Sequence, residues 1–234
     1  MGVAKRYYVS YGGGVDSTAM VLLILENQDK YPLDEIIFVN HAGDYPETYE
    51  FVELFNRWLW KHYGFEITEI RPHVEGTTSI LEYAIKRQIA PLRVKRWCSD
   101  KFKHRPFYKY VKRPAVVYLG FEKGEEHRAE RALKNAPRLV RYKFPLIEND
   151  ITRDEAKRII REHGLPIPQK SGCYFCPFKR KKEMLTLALK YPLLWKHVKL
   201  LDNINKYDNV DVGEIEKLTR TQSTICEFVK VKGV

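Results

Sequence analysis

Long apolar runs are missing from this 234-residue chain, and none reaches the ~18 residues a membrane-spanning helix needs. The start, MGVAKRYYVS, has polar residues where a secretory signal carries its apolar stretch. Internal repeats and low-complexity tracts are also lacking. The expectation is a soluble, cytoplasmic protein with no membrane partner. Cysteine is limited to Cys98, Cys173, Cys176 and Cys226. In a cytosolic setting the C-x-x-C at Cys173 and Cys176 is a metal-binding or redox pattern more than a structural disulfide. Acidic residues are nearly missing from one stretch: Lys86 to Arg113 holds eleven Lys or Arg and one acid, Asp100.

What is present is a substantial core composition, 44% hydrophobic, which argues against disorder. Net charge is +11. The excess is concentrated in Lys86–Arg113 and in Lys179-Arg180-Lys181-Lys182. Such patches suit nucleic acid or polyphosphate ligands, although a Lys- and Glu-rich solvated surface has the same composition. Trp97, Phe102, Phe107, Tyr108 and Tyr110 lie within the first patch. Aromatics among cations can stack on bases, or can belong to the core.

The patterning predicts strands at Arg6–Tyr11, Glu35–His41, Phe65–Ile70 and Ala115–Gly120. Helices are predicted at Ser17–Asn27, Pro46–Tyr63 and Ser79–Gln88. Strand–helix–strand order is the parallel crossover unit. Pro46 suits a first helical turn, and Gly64 stops that helix. Thr152 with Glu155 three residues on is a capping box that opens a helix to Glu162. A loop rich in Pro, Gly and Cys follows, then helical texture from Lys179 to about Lys206. The reading is an α/β core over residues 1–147 and a smaller helical region, 148–234, carrying the C-x-x-C. The polar stretch from Asp208 shows no clear pattern.

Between the first strand and its helix the chain reads YVSYGGGVDST, Tyr8 to Thr18. In open parallel sheets, ligands bind at this carboxyl edge. Gly12, Gly13 and Gly14 let backbone N–H groups approach a ligand. The following helix adds unpaired N–H groups and its positive end. Ser17 and Thr18 add hydroxyls. This is an anion cradle, and phosphate is its usual guest. The loop has no Lys, which excludes a Walker A motif, and Ser17 stands where a G-x-G-x-x-G fingerprint needs its last glycine.

GGGVDS resembles the S-G-G-x-D-S loop of the PP-loop ATP pyrophosphatases, the adenine nucleotide alpha-hydrolases, with Gly12 in place of the usual Ser. Four further segments resemble the phosphoadenylylsulfate (PAPS) reductase branch, in that branch's order. They are FVNHAGDYPETYEF (Phe38 to Phe51), RWCSDKFKHRP (Arg96 to Pro106), GFEKGEEHRAER (Gly120 to Arg131) and KSGCYFCPF (Lys170 to Phe178). The resemblance spans roughly residues 6 to 180. It implies a Rossmann-like, HUP-type parallel sheet with helices on both faces, and an adenine nucleotide, ATP with Mg²⁺, on the glycine loop. The implied nucleotide-binding residues are Ser10, Tyr11, Gly12, Gly13, Gly14, Asp16, Ser17, Thr18, Asn40, His41, Gly120 and Arg131. Asp16, Ser17, Lys103 and Arg128 are implied in catalysis. Lys103, Arg128 and Arg131 would serve as phosphate or sulfate clamps, and Asp16 would position the loop or a magnesium ion. Asp44 and Glu47 could touch magnesium or the ribose.

By the same resemblance, Cys98, Cys173 and Cys176 are metal ligands. Trp97 stands where adenylylsulfate reductases have the first cysteine of a pair. Three thiolates on a 4Fe–4S cluster leave one iron open, the arrangement that PP-loop tRNA thiolases resemble. Zinc is the alternative, with Cys226 or a nearby His as fourth ligand. The implied activity is cleavage of ATP at the α-phosphate, adenylating an acceptor and releasing pyrophosphate. Sulfur transfer to tRNA or DNA would follow, drawing on a sulfur or electron donor. A PAPS or adenylylsulfate reductase with Cys226 as nucleophile is the second reading, although the tail reads ICEFVKVKGV and not Glu-Cys-Gly-Leu-His. A non-catalytic, metal-stapled nucleotide- or nucleic-acid-binding module is the third.

Overall fold

The computed structural model describes residues 5–219. Cys226 lies outside the described residues. The elements run β1 (Arg6–Tyr11), α1 (Val15–Glu26), β2 (Glu35–Val39), α2 (Pro46–Tyr63), β3 (Ile67–Ile70) and α3 (Ile80–Arg87). Next come α4 (Trp97–Ser99), a π-helical turn (Asp100–His104), α5 (Arg105–Tyr110), β4 (Ala115–Leu119) and α6 (Glu126–Lys134). The remainder is β5 (Val140–Lys143), α7 (Pro145–Glu148), α8 (Arg153–Glu162), α9 (Lys181–Lys190) and α10 (Pro192–Ile204). Residues 212–219 are also helical. No helix among the described residues is long and apolar enough to cross a membrane.

The five strands are parallel, in the order β3-β2-β1-β4-β5. The α/β expectation therefore holds. The chain builds outward from β1 to β3, then crosses back to lay β4 on the other side of β1. That reversal opens a crevice beyond the carboxyl ends of β1 and β4.

Strand side chains alternate between the faces, as the two-residue period demands. Val9, Tyr11, Ile36, Phe38, Val116 and Tyr118 join α1, α2, α7 and α8 in one core. Tyr8, Ile37, Ala115, Val117 and Val140 pack on Phe107 and Val111 in another. Helix α8 reaches the first core through Ala156 and Ile160, which are fully buried. A third core joins α3 and Phe102 to Tyr174, Phe175, α9 and α10.

Local signals explain the sharpest boundaries. Pro46 opens α2, and Gly64 ends it in the left-handed conformation, φ 69°. Thr152 caps α8 in the predicted box with Glu155. Helix α1 begins at Val15, two residues before the predicted start, because Gly14 in the glycine loop is its N-cap. The helical texture after Lys179 divides at Tyr191, where Pro192 starts α10. Edge strand β5 and helix α6 were not predicted. VRYK buries only Val140, and α6 buries only Ala129, so neither shows an apolar pattern.

The aromatics of the basic stretch are mostly core. Phe102 and Phe107 are buried, and Trp97 packs on Tyr83 at 5.2 Å and donates to the Ala90 carbonyl. Of the five, Tyr110 alone is strongly exposed.

Glu183 ties the first turn of α9 to the loop before the cysteines. Its carboxylate accepts from the Arg180 N–H at 2.9 Å and pairs with Lys170 at 2.8 Å. Burial opposes its charge, but the Arg180 N–H and the Lys170 and Lys179 ammonium groups more than offset that and hold it at about 2. A depressed carboxyl stabilises the fold fully above its ordinary value near 4.5, and the contribution is lost as pH falls toward 2. Glu183→Gln is expected to lower the urea midpoint at pH 7, with the gap to the parent closing as the pH approaches 2. A gap independent of pH would refute the assignment.

Candidate active site

The glycine loop is organised by its own serine. Ser17 Oγ accepts from the Gly12 and Gly14 N–H groups, each at 3.3 Å, and donates to the Gly14 carbonyl at 3.1 Å. Gly13 has φ 69°, and a Cβ there would lie 3.0 Å from Thr48 and Val52 of α2. Gly120, just past β4, meets backbone rather than side chain: its Cβ would stand 3.0 Å from the Ser17 N and Cα. A Cβ on Gly14 would meet the Ser171 hydroxyl at 2.5 Å. The loop is thus clamped between α2, the end of β4 and the segment before the cysteines.

Two adjoining cavities open from it. One, of about 520 Å³, is lined by Gly12, Gly14, Asp16, Ser17, Gly120, Glu125, Arg128, Arg153, Lys170 and Ser171 among others. The other, of about 460 Å³, runs past Ser10, Tyr11 and Gly12 to His41, Asp44 and Lys103 on one side and to Tyr108 and Tyr142 on the other. Ser10, Gly12, Leu119, Phe121 and Arg128 line both, so they form one cleft along the carboxyl edge of the sheet. A separate cavity of about 600 Å³ lies beside α5, lined in part by Arg71, His73, Lys101, Arg105 and Tyr110. Three of its cations are already paired: Arg71 with Glu69, Lys101 with Glu75 and Arg105 with Asp100.

Asp16 is ion-paired with Arg153 of α8. Its Oδ1 is buried and unpartnered, and burial pushes its carboxyl above the ordinary value, with Arg153 opposing. Glu125 likewise pairs one oxygen with Arg128 and leaves Oε2 buried and unpartnered. Arg128 also lies over the Phe121 ring at 4.4 Å. The Arg153 partnership, Lys170 and Ser171 have no local signature, since they reach the loop only through the packing of α8 and the cysteine segment.

Several implied nucleotide-binding residues sit differently. Thr18 is fully buried, and its hydroxyl joins the Gly14 carbonyl at 2.9 Å to the Tyr11 hydroxyl at 3.1 Å, so both bolster the loop from behind. Asn40 lines neither cavity of the cleft and accepts from the Ala42 N–H at 3.0 Å. Arg131 is exposed on α6 and also lines neither. Glu47 accepts from Gln169 at 2.9 Å and from the Tyr191 hydroxyl, joining α2 to the C-terminal helices.

Lys103 faces Cys98, Cys173, Cys176 and Asp44 as well as the cleft. The three thiols, from segments about seventy-five residues apart in sequence, are thus within electrostatic reach of one ammonium group. Cys98 comes from α4, next to the π-helical turn that holds Lys103. Cys173 and Cys176 sit on a turn closed by the Cys176 N–H to the Cys173 carbonyl at 3.1 Å. Tyr174 and Phe175, between them, are buried in the third core and anchor that turn. Tyr174 N–H donates to the Gly43 carbonyl at 3.0 Å, which fixes the turn against the β2–α2 loop. Burial pushes the Cys173 thiol up to about 12, with Lys103 opposing. It is therefore protonated at neutral pH unless a metal cation takes the proton's place. His41 and Asp44 add buried polar atoms without partners, His41 Nδ1 and Asp44 Oδ1. Converging thiols with orphaned donors beside them fit a metal or cluster centre.

The close approach at Gly120 separates two glycine substitutions. Gly120→Ala is expected to cost about 1–3 kcal/mol in stability, because backbone atoms cannot move aside as a side chain can. Gly12→Ala, whose Cβ would meet nothing nearer than 3.9 Å, should leave stability within about 0.5 kcal/mol yet weaken phosphate binding. Chemical denaturation with pyrophosphate titration checks both, and equal destabilisation would refute the clamp.

The family model described as the phosphoadenosine phosphosulfate reductase domain matches residues 6–168. The uncharacterized protein MJ0066 of Methanocaldococcus jannaschii is 26% identical over 232 residues, covering 92% of this chain and 45% of that protein. MJ0973 of the same organism, also uncharacterized, is 24% identical over 228 residues, covering 83% and 50%. The chain spans about half the length of these curated relatives. Among solved structures it is similar to the PAPS reductase of Candida auris in its phosphate complex, at 18% identity, with 71% and 77% of the two chains covered and a TM-score of 0.48. It is also similar to the U34-tRNA thiolase NcsA of Methanococcus maripaludis with its [4Fe-4S] cluster, at 14% identity, 88% and 74% coverage and a TM-score of 0.46. The family match takes in well over half of the chain, from β1 past the end of α8, and the protein belongs to the phosphoadenosine phosphosulfate reductase domain family.

Proposed function

We propose that this protein binds ATP on the glycine loop, cleaves it at the α-phosphate to adenylate an acceptor, and passes sulfur to that acceptor from the cysteine centre. The observation that carries this reading is the single cleft with the glycine loop at one end and, at the other, Lys103, whose ammonium also feels the three thiols. An acceptor oxygen attacks the α-phosphorus, the bond to the α–β bridging oxygen breaks, and pyrophosphate leaves. Sulfur then displaces AMP, which departs with the acceptor's oxygen.

The loop N–H groups not taken by Ser17 Oγ, at the start of α1, hold the leaving pyrophosphate. Arg128 and Lys170 line the same cavity and neutralise its charge. Asp16 and Glu125 line the same cavity, each with an unpartnered carboxylate oxygen, and are the residues that would hold Mg²⁺. Lys103 lies between the cleft and the thiols, placed to neutralise the α-phosphate as charge builds there. Cys98, Cys173 and Cys176 would hold a 4Fe–4S cluster, or zinc as the alternative, which would supply a soft-metal position for sulfur.

Nucleic acid is the acceptor class that the charge supports. Arg93 and Arg96 each lie 5.5 Å from the Phe178 ring, which is half exposed two residues after Cys176. A cation-flanked aromatic beside the thiols offers a stacking surface for an unpaired base. A second reading, reduction of a sulfonucleotide to sulfite with a dithiol donor, draws its support from the family description itself.

The test is anaerobic incubation of the metal-loaded protein with Mg-ATP, sulfide, and bulk tRNA or single-stranded DNA. Acceptor-dependent pyrophosphate and AMP are expected, reduced about 10²-fold in Arg128→Ala. Sulfite from a sulfonucleotide and a dithiol, without pyrophosphate from ATP, would establish the second reading. Nucleotide binding with neither product would leave a binding module and overturn both.

A further inference from the structure

Three features outside the proposed steps stand out: the cavity beside α5, the Phe178 platform, and the buried pair His41 and Asp44. The first has most of its cations already paired, and the second belongs to the acceptor surface described above. The third is not accounted for by packing. His41 and Asp44 sit in the β2–α2 loop, with side chains only 1% and 4% exposed. Asp44 keeps a buried carboxylate oxygen, Oδ1, without a partner, which costs free energy unless something else satisfies it.

Their geometry suits a shared ligand better than it suits a pair. His41 Nε2 lies 3.3 Å from Asp44 Oδ2 and 4.0 Å from Cys173 Sγ. The first separation is long for a hydrogen bond to a carboxylate. One ligand atom from each of His41, Asp44 and Cys173 lies within 4.8 Å of the others. A tetrahedral ion with bonds of about 2.0–2.1 Å to nitrogen and oxygen and about 2.3 Å to sulfur has ligand edges of about 3.3 Å and 3.6 Å. The His41–Asp44 and His41–Cys173 spacings need only a few tenths of an ångström of closure.

The scaffold around them is rigid. Gly43 is fixed by its bond from Tyr174, and a Cβ there would lie 3.0 Å from both His41 Nδ1 and Phe175. Asp44 N–H is held by the Tyr49 hydroxyl at 3.1 Å. The imidazole and carboxylate are therefore presented by the same contacts that lock the cysteine turn in place.

We propose that His41 Nε2 and the Asp44 carboxylate are metal ligands, which together with the Cys173 thiolate form a mixed nitrogen–oxygen–sulfur position for a zinc-class divalent cation on the cleft side of the cysteine centre. This rests on the cysteine centre being a metal site, but not on the nucleotide reaction. Because His41 and Asp44 also line the cleft, the metal faces the bound nucleotide through these two residues. The centre is then not an all-sulfur site, and Cys226 is not required to complete it.

The experiment is zinc K-edge X-ray absorption on the zinc-loaded full chain, with zinc content measured in parallel. Expected is a light-atom shell at about 2.0–2.2 Å beside sulfur at about 2.3 Å. His41→Gln and Asp44→Asn should each thin the light-atom shell and weaken zinc affinity at least about 10-fold, with circular dichroism unchanged. An all-sulfur shell in the parent would overturn this proposal while leaving the three-cysteine centre intact. Failure to take up either zinc or an iron–sulfur cluster would overturn both. In each case pyrophosphate release from ATP is a separate readout, and its failure alone would count only against the proposed reaction.

Discussion

The approach of Gly120 to the first turn of α1 sets the geometry of the whole carboxyl edge. Strand β4 is hydrogen-bonded to β1 along its length and cannot retreat. A side chain at its exit would strike the Ser17 backbone. With hydrogen there, the loop before α1 closes down on Ser17 Oγ and presents its N–H groups at the switch point between β1 and β4. The shape of the glycine loop is therefore a consequence of sheet order combined with one missing Cβ.

The second half of the site is held by the C-terminal region rather than by the sheet. Ser171 crosses Gly14, Tyr174 binds Gly43, and Gln169 and Tyr191 hold Glu47 at the start of α2. The first two join loops at the sheet edge to the segment bearing Cys173 and Cys176, and the last two tie α2 to that segment and to the α9–α10 junction. Phe102, in the π-helical turn beside Cys98, is buried in the same core as Tyr174 and Phe175. The glycine loop and the cysteine turn are in this way kept in fixed relation by packing, as the proposed two-stage reaction would require.

Much of this was legible in sequence because it depends on local chemistry. Pro46, Gly64 and the Thr152–Glu155 box mark boundaries through their own backbone needs, and β1 and α2 fall where the pattern places them. The glycine loop reads as an anion cradle for the same reason. What escaped depends on distant packing. Edge strand β5 is too polar to show a strand pattern. Phe102 and Phe107 resemble stacking residues among lysines, but their rings are core. Thr18 looks like a ligand hydroxyl and instead braces the loop. Arg153, six residues beyond the expected domain edge, turns out to be the partner of Asp16. His41 and Asp44 lie in a motif of the family resemblance, but only the fold brings them against Cys173.

The most direct test of the central claim is where ATP sits relative to the thiols, measured in an anaerobic crystal structure with a non-hydrolysable ATP analogue and Mg²⁺. The account predicts the phosphates on the N–H groups of Gly12 to Ser17, and the α-phosphorus on the Lys103 side, facing Cys98, Cys173 and Cys176. An analogue lodged in the cavity of Arg71, Lys101 and Arg105, or with its α-phosphorus turned away from the thiols, would contradict it.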